Sequence, residues 1–171
     1  MPEHKKTKMK IEDFVNELHD RTIKENALDF AIWLRENKMN PIQTSKSGYK
    51  LSLKGCVVCY IRFDLDMGIL RITPYINEYD KDALSDEFKE IVLKNKKNGC
   101  LHCHVIAGDG YNCSYKLNTV FGKHYEDACM STIIFENPSA VEFECIKKLL
   151  IMKVNTIRTG KLLPNAPTNY V

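Results

Sequence analysis

The chain has 171 residues and a formal net charge of +3, from 25 lysines and arginines against 22 aspartates and glutamates. This length fits one ordinary domain with its own core. A content of 44% hydrophobic and 27% charged residues is close to that of an average soluble protein, which argues against a disordered chain or a membrane protein. The charge excess is too small to indicate nucleic-acid binding without a localised basic patch.

The first ten residues are rich in lysine and lack the apolar segment of a secretory signal. We interpret residues 1–10 as a basic tail and expect a cytoplasmic location without membrane association. In that reducing compartment the seven cysteines are not expected to form a disulfide framework. Clustered cysteines are therefore better explained as metal ligands.

Two helices are predicted after the tail. Residues 9–20 carry one apolar stripe, and a longer helix over residues 22–38 is favoured by capping-box spacing between Thr22 and Glu25. The core positions of this second helix recur at helical spacing: Ala27, Phe30, Ala31 and Leu34. Asn40 and Pro41 end it, because the residue before a proline disfavours helical backbone.

The pattern then changes to the period of two that is typical of strands. Alternating apolar residues predict a hairpin that turns at Lys54 and Gly55, a third strand that ends near Pro74, and a short strand near Ile42. Together they form an antiparallel meander. Cys56 and Cys59 are three residues apart in one strand, so we expect them on opposite faces and unable to share a metal.

The second half of the chain predicts two more helices. Ser85 is suited to cap the first, and residues 131–136 read as a strand. Asn137 and Pro138 would then start a helix that runs to about residue 155. Its predicted core stripe is Val141, Cys145, Leu149 and Met152. Residues 158–171 lack periodicity and are interpreted as an extended or disordered tail.

The predicted fold class is therefore α+β, with a small antiparallel sheet packed against about four helices. One domain would cover residues 11–157. It would carry a cysteine-rich, metal-binding insertion at residues 98–130.

The insertion contains a C-x2-C-x9-C-x15-C pattern. A two-residue gap lets both sulfurs of the first pair turn onto one tetrahedral ion. The sequence thus predicts one Zn²⁺ site, and histidine is an equally suitable zinc ligand, so the fourth ligand stays open. The four predicted ligands are Cys100, Cys103, Cys113 and Cys129, and the alternates are His102, His104 and His124.

Other cofactors use similar residues. An iron–sulfur cluster relies on the same thiolate chemistry and is the main alternative to zinc. The stretch "CLHCH" matches a haem attachment motif, but such attachment is expected outside the cytosol. A redox role is disfavoured because Cys100 would follow a helix C-terminus, whose negative dipole end opposes a thiolate.

Four-thiolate zinc sites are usually closed and structural. The leading hypothesis is therefore a small cytosolic binding or regulatory protein that zinc stabilises, with a protein or small molecule as its favoured ligand. The alternatives are a metal-dependent enzyme with an open zinc position and a nucleic-acid-binding domain.

Overall fold

A computed structural model describes residues 9–75, 82–97, 119–121, 123–124 and 133–160. The described helices are α1 (Ile11–Asn16), α2 (Arg21–Glu36), α3 (Asp86–Lys94) and α4 (Ala140–Arg158). The strands are β1 (Ile42–Ser45), β2 (Gly48–Leu53), β3 (Cys56–Asp64), β4 (Ile69–Pro74), β5 (Thr119–Val120), β6 (Lys123–His124) and β7 (Phe135–Glu136). Most of both predicted tails lies outside the described residues.

Five strands form one antiparallel sheet in the order β1-β2-β3-β4-β7, which confirms the predicted meander. The turn between β2 and β3 has Lys54 at φ 49° and Gly55 at φ 79°. Two successive positive φ values define the primed turn whose twist matches that of a hairpin, so the predicted two-residue turn is also confirmed.

Helices cover one face of this sheet. On α1, Phe14 stacks on Phe63 of β3 with ring centroids 5.5 Å apart and meets Tyr49 of β2 edge-on at 5.8 Å. On α4, Phe143 lies 5.3 Å from Phe30 of α2, ring centroid to ring centroid. The α+β architecture is therefore as predicted. The metal-binding insertion falls almost entirely outside the described residues.

The apolar stripe of α2 is buried at all four predicted positions. The helix begins one residue earlier than predicted, because the Asp20 carboxylate accepts a hydrogen bond from the Ile23 N–H at 3.0 Å. That contact satisfies a donor that the first helical turn would otherwise leave unpaired. None of the described helices, including the 19-residue α4, combines the length and apolar character needed to cross a bilayer.

The start of α4 differs from the prediction. Ser139 is the N-cap and forms a capping box with Glu142, whereas Asn137 lies outside the helix at φ 46°. Asn137 instead extends the sheet, since its N–H donates to the Leu70 carbonyl and its side-chain oxygen accepts from the Leu70 N–H.

The core stripe of α4 shifts accordingly. Cys145 and Leu149 are buried as predicted, but Val141 is 47% exposed and Met152 is only partly buried. The buried positions of the helix are Phe143, Cys145, Ile146, Leu149, Leu150, Lys153, Val154 and Ile157.

A bulge in β3 overturns one prediction about the cysteines. Cys59 pairs with Leu51, and Cys56 pairs with Leu53. Leu51 and Leu53 lie on one face of β2, and the extra residue Val58 places both cysteines on that same face. The expectation that they lie on opposite faces is therefore wrong. Cys59 is fully buried and Cys56 packs at the edge of the core, and both are free thiols.

Candidate metal centre and the base of its loop

The predicted zinc ligands Cys100, Cys103, Cys113 and Cys129 lie outside the described residues, as do the alternates His102 and His104. His124 is described only through its backbone, which pairs with Thr119 in the β5–β6 hairpin. Within the described ranges, no group of three or more histidines, cysteines and carboxylates could hold a metal ion. The predicted ligand set therefore stays a prediction.

Both ends of the cysteine-rich stretch are fastened together. Lys96, just after α3, and Ile133, just before β7, form an antiparallel bridge. Beside it, the Ile134 N–H donates to the Asn95 carbonyl at 3.0 Å. The residues that flank the cysteine-rich stretch therefore meet at one point of the fold. We call this bridge and its hydrogen bonds the loop base.

Between the two ends of the loop base, one residue of the cysteine-rich stretch is buried in the hydrophobic core. Val120 in β5 is 2% exposed and belongs to the hydrophobic core, and the neighbouring Phe121 packs partly against it. Burying an aliphatic side chain of this size contributes about 1.5–3 kcal/mol. The core therefore holds the stretch at Val120 as well as at the loop base.

Asn95 connects two helices at the loop base. As the C-cap of α3 it donates from Nδ2 to the Ile91 carbonyl at 3.0 Å and to Glu142 Oε1 of α4 at 2.9 Å. The other carboxylate oxygen of Glu142 accepts hydrogen bonds from the N–H and hydroxyl of Ser139 at 2.8 and 2.7 Å. One amide and one carboxylate thus join the end of α3 to the start of α4.

Glu142 is held in its ionised form. Partial burial raises the pKa of its carboxyl. Hydrogen bonds from Ser139 and Asn95, together with the charge of Lys94, lower that pKa by a larger amount, so the net shift is downward. A depressed pKa means that the carboxylate stabilises the fold above its unfolded-state pKa. This stabilisation is lost as the pH falls through the folded-state pKa.

We expect Asn95→Ala to lower the free energy of unfolding by about 1.5–3 kcal/mol at neutral pH, because it removes a hydrogen bond to a charged group and a helix C-cap bond. The loss should shrink as the pH falls through the lowered folded-state pKa of Glu142, where its carboxylate becomes protonated. Denaturant unfolding at several pH values measures both effects.

Asn37→Ala is a matched control for this prediction. Asn37 is the C-cap of α2 and donates from Nδ2 to the Trp33 carbonyl at 2.8 Å, as Asn95 does to Ile91. No contact with a carboxylate is recorded for the Asn37 side chain within the described part of the chain. Asn37→Ala should lower the free energy of unfolding by about 0.5–1.5 kcal/mol, and this decrease should not depend on pH. Equal, pH-independent losses for the two variants would contradict the role of Glu142.

Two cysteines of the core are unsuited to bind metal. Burial raises the pKa of the Cys59 thiol strongly, and burial together with the charge of Glu142 raises the pKa of Cys145 to about 12. Without a metal these thiols stay protonated, and Cys145 donates weakly to the Phe88 carbonyl at 3.7 Å. Among the described residues, neither belongs to a group of three or more ligands that could hold a metal ion.

Sequence reasoning missed the loop base. The end of α3 near Asn95 was predictable from the lysines that precede Gly99, but the pairing of Asn95 with Glu142, 47 residues away, has no local signature. Comparison with protein families, with curated proteins and with solved structures finds no match to this chain. The candidate site is therefore argued from its own residues.

Proposed function

We propose that this chain is a small binding or regulatory protein in which one zinc ion holds the cysteine-rich loop in a fixed shape. The ligands would be Cys100, Cys103 and Cys113 with Cys129, or with His102, His104 or His124 in place of Cys129. Four protein ligands close a tetrahedral site, which favours a structural role for the ion. The loop surface so fixed would contact the partner.

The observation that supports this proposal is the loop base. Cys100 lies four residues after Lys96, and Cys129 lies four residues before Ile133. The path from one cysteine to the other through the bridge is therefore much shorter than the 29 positions that separate them along the chain. Closure entropy grows with the logarithm of loop length. The shorter connection lowers the cost of bringing these two sulfurs together by about 1 kcal/mol.

The rest of the cysteine inventory also favours this ligand set. Cys59 and Cys145 are buried, protonated thiols, and Cys56 is partly exposed in a β-hairpin. Of seven cysteines, these three have places in the packed sheet and helices, which leaves the four of the loop for a metal.

We expect protein purified without added metal to contain about one zinc per chain and to be colourless. In the folded protein, about one thiol, Cys56, should react readily with a thiol reagent if Cys129 is the fourth ligand, and about two if a histidine is. After a chelator removes the ion, about five should react in either case, because the ligand cysteines are released. Elemental analysis, the absorption spectrum and a thiol titration measure these quantities.

The other outcomes are distinct. Iron content with visible absorption would replace zinc by an iron–sulfur cluster. Zinc released with fewer than three additional thiols would indicate an open site with histidine or water ligands, as in a zinc enzyme. Folded, metal-free protein with about five reactive thiols before chelation would overturn the proposal.

A further inference from the structure

The five-stranded sheet has an outer face that none of the described helices covers. Along β2, β3 and β4 most inward residues are buried, whereas most of the residues between them are partly or fully exposed. We call this the outer face. Its principal side chains are Lys50, Tyr60, Arg62, Arg71, Thr73 and Tyr75.

Two tyrosines lie side by side near the middle of the outer face. The ring centroids of Tyr60 and Tyr75 are 5.7 Å apart, with the planes inclined at 56°. Lys50 is directly opposite Tyr60 on β2, and Thr73 is directly opposite it on β4. Side chains in such pairs are separated by about 5 Å at Cβ. The tyrosine pair therefore has a lysine next to it.

The cations of this face are not fully balanced. Arg71 is paired with Glu136 at 3.2 Å and with Asp64 at 3.8 Å. Arg62 lies directly opposite Arg71 and is exposed. Neither Arg62 nor Lys50 has a recorded ion pair with any carboxylate in the part of the chain that the structure describes. Like charges placed opposite each other destabilise a sheet, so Arg62 has no evident benefit for folding.

We infer that the outer face binds single-stranded nucleic acid. A base would stack on the Tyr60 ring, next to Tyr75, and the phosphates of the strand would contact Lys50 and Arg62. Lys50 is about 5 Å from Tyr60 across the sheet, and Arg62 is about 7 Å from it along β3. Both side chains therefore reach the backbone of a nucleotide whose base lies on Tyr60.

The combination of rings and cations selects this partner over others. An acidic peptide would satisfy the two cations, but its carboxylates offer no aromatic ring to stack on the tyrosines. Bases in a duplex are already stacked on each other, whereas every base of a single strand has a free π-face. The inference rests on the outer face alone and does not depend on a zinc ion.

Fluorescence anisotropy of the full chain with labelled RNA and DNA single strands of about 12 nucleotides tests the inference. Tyr60→Ala should weaken binding at least about fivefold, since it removes one base-stacking platform, and Tyr60→Phe should retain it. Arg62→Gln should reduce the slope of log K against log salt by about 0.7 between about 50 and 200 mM, because one phosphate contact is lost.

Lys148→Gln is the charge-matched control for Arg62→Gln. Lys148 is exposed on α4, in the helical layer on the other side of the sheet. This variant should bind like the original chain. Thermal melts establish that Tyr60→Ala is folded at the assay temperature, and Arg62→Gln, at an exposed position, tests the same face without disturbing the core.

Four results would overturn the inference. They are no binding at about 50 mM salt, equal affinity of Tyr60→Ala and Lys148→Gln, an unchanged salt slope for Arg62→Gln, and competition by a duplex or by polyglutamate as effective as that by unlabelled single strand.

Discussion

We expect Phe30→Ala to lower the free energy of unfolding by about 3–5 kcal/mol. Phe30 is 2% exposed, packs 5.3 Å from the Phe143 ring of α4 and 6.0 Å from the Trp33 ring, and thereby joins two helices. Truncation removes the apolar surface of a whole ring and leaves a cavity that the helices fill only in part. For a small domain this is a large share of a total stability of about 5–15 kcal/mol.

Ile32→Ala is the matched control on the same helix. Ile32 is 48% exposed, so its truncation should change the free energy of unfolding by no more than about 0.5 kcal/mol. Phe30→Leu should cost less than Phe30→Ala, because leucine refills part of the volume. Denaturant unfolding with unchanged m-values measures all three variants. Similar losses for Phe30→Ala and Ile32→Ala would show that the α2–α4 contact contributes little.

The features that the sequence predicted correctly depend on neighbours within a few residues. The α2 stripe follows the helical period, and the hydroxyl of Ser85 caps α3 by accepting from the Phe88 N–H at 3.3 Å. The turn at Lys54 and Gly55 depends on backbone geometry alone. Such patterns can be predicted from the sequence because both partners of each contact are close together in the chain.

The features that sequence analysis missed depend on distant partners. Asn137 resembles a helix cap in the sequence, but its backbone and side chain bond to Leu70, 67 residues away, which moves the cap to Ser139. Phe143 then faces the core in place of Val141. The bulge at Val58 likewise depends on how β3 pairs with β2, and it moves Cys56 to the face of Cys59.

The candidate site divides along the same line. The spacing of Cys100 and Cys103 is a local signal from which the sequence predicts a pair of metal ligands, and that pair stays a prediction. The Lys96–Ile133 bridge joins residues 37 positions apart and became visible only in the fold. The outer face had a signal in the alternation of β3, where Tyr60 and Arg62 stand between buried residues, but its tyrosine pair needed the register of three strands.

The largest expected effect separates the loop cysteines from those of the core. Serine in place of Cys100, Cys103 or Cys113 should abolish zinc retention, because thiolate ligation is coupled to folding of the loop and the apparent binding free energy of a structural zinc is about 10–16 kcal/mol. Alanine in place of Cys59 or Cys145 should lower the free energy of unfolding by about 1–3 kcal/mol and leave the zinc bound. Both side chains contribute apolar contact and volume in the core, and each thiol donates a weak hydrogen bond to a backbone carbonyl.

Cys56→Ser is the control for the effect of serine itself. Cys56 is a partly exposed free thiol in the hairpin, so this variant should keep its zinc and change the free energy of unfolding by no more than about 0.5 kcal/mol. Zinc content and melting temperature, measured on all six variants, decide the assignment. Zinc lost from Cys59→Ala, or fully retained in Cys103→Ser, would show that the ligands belong to other cysteines than those proposed.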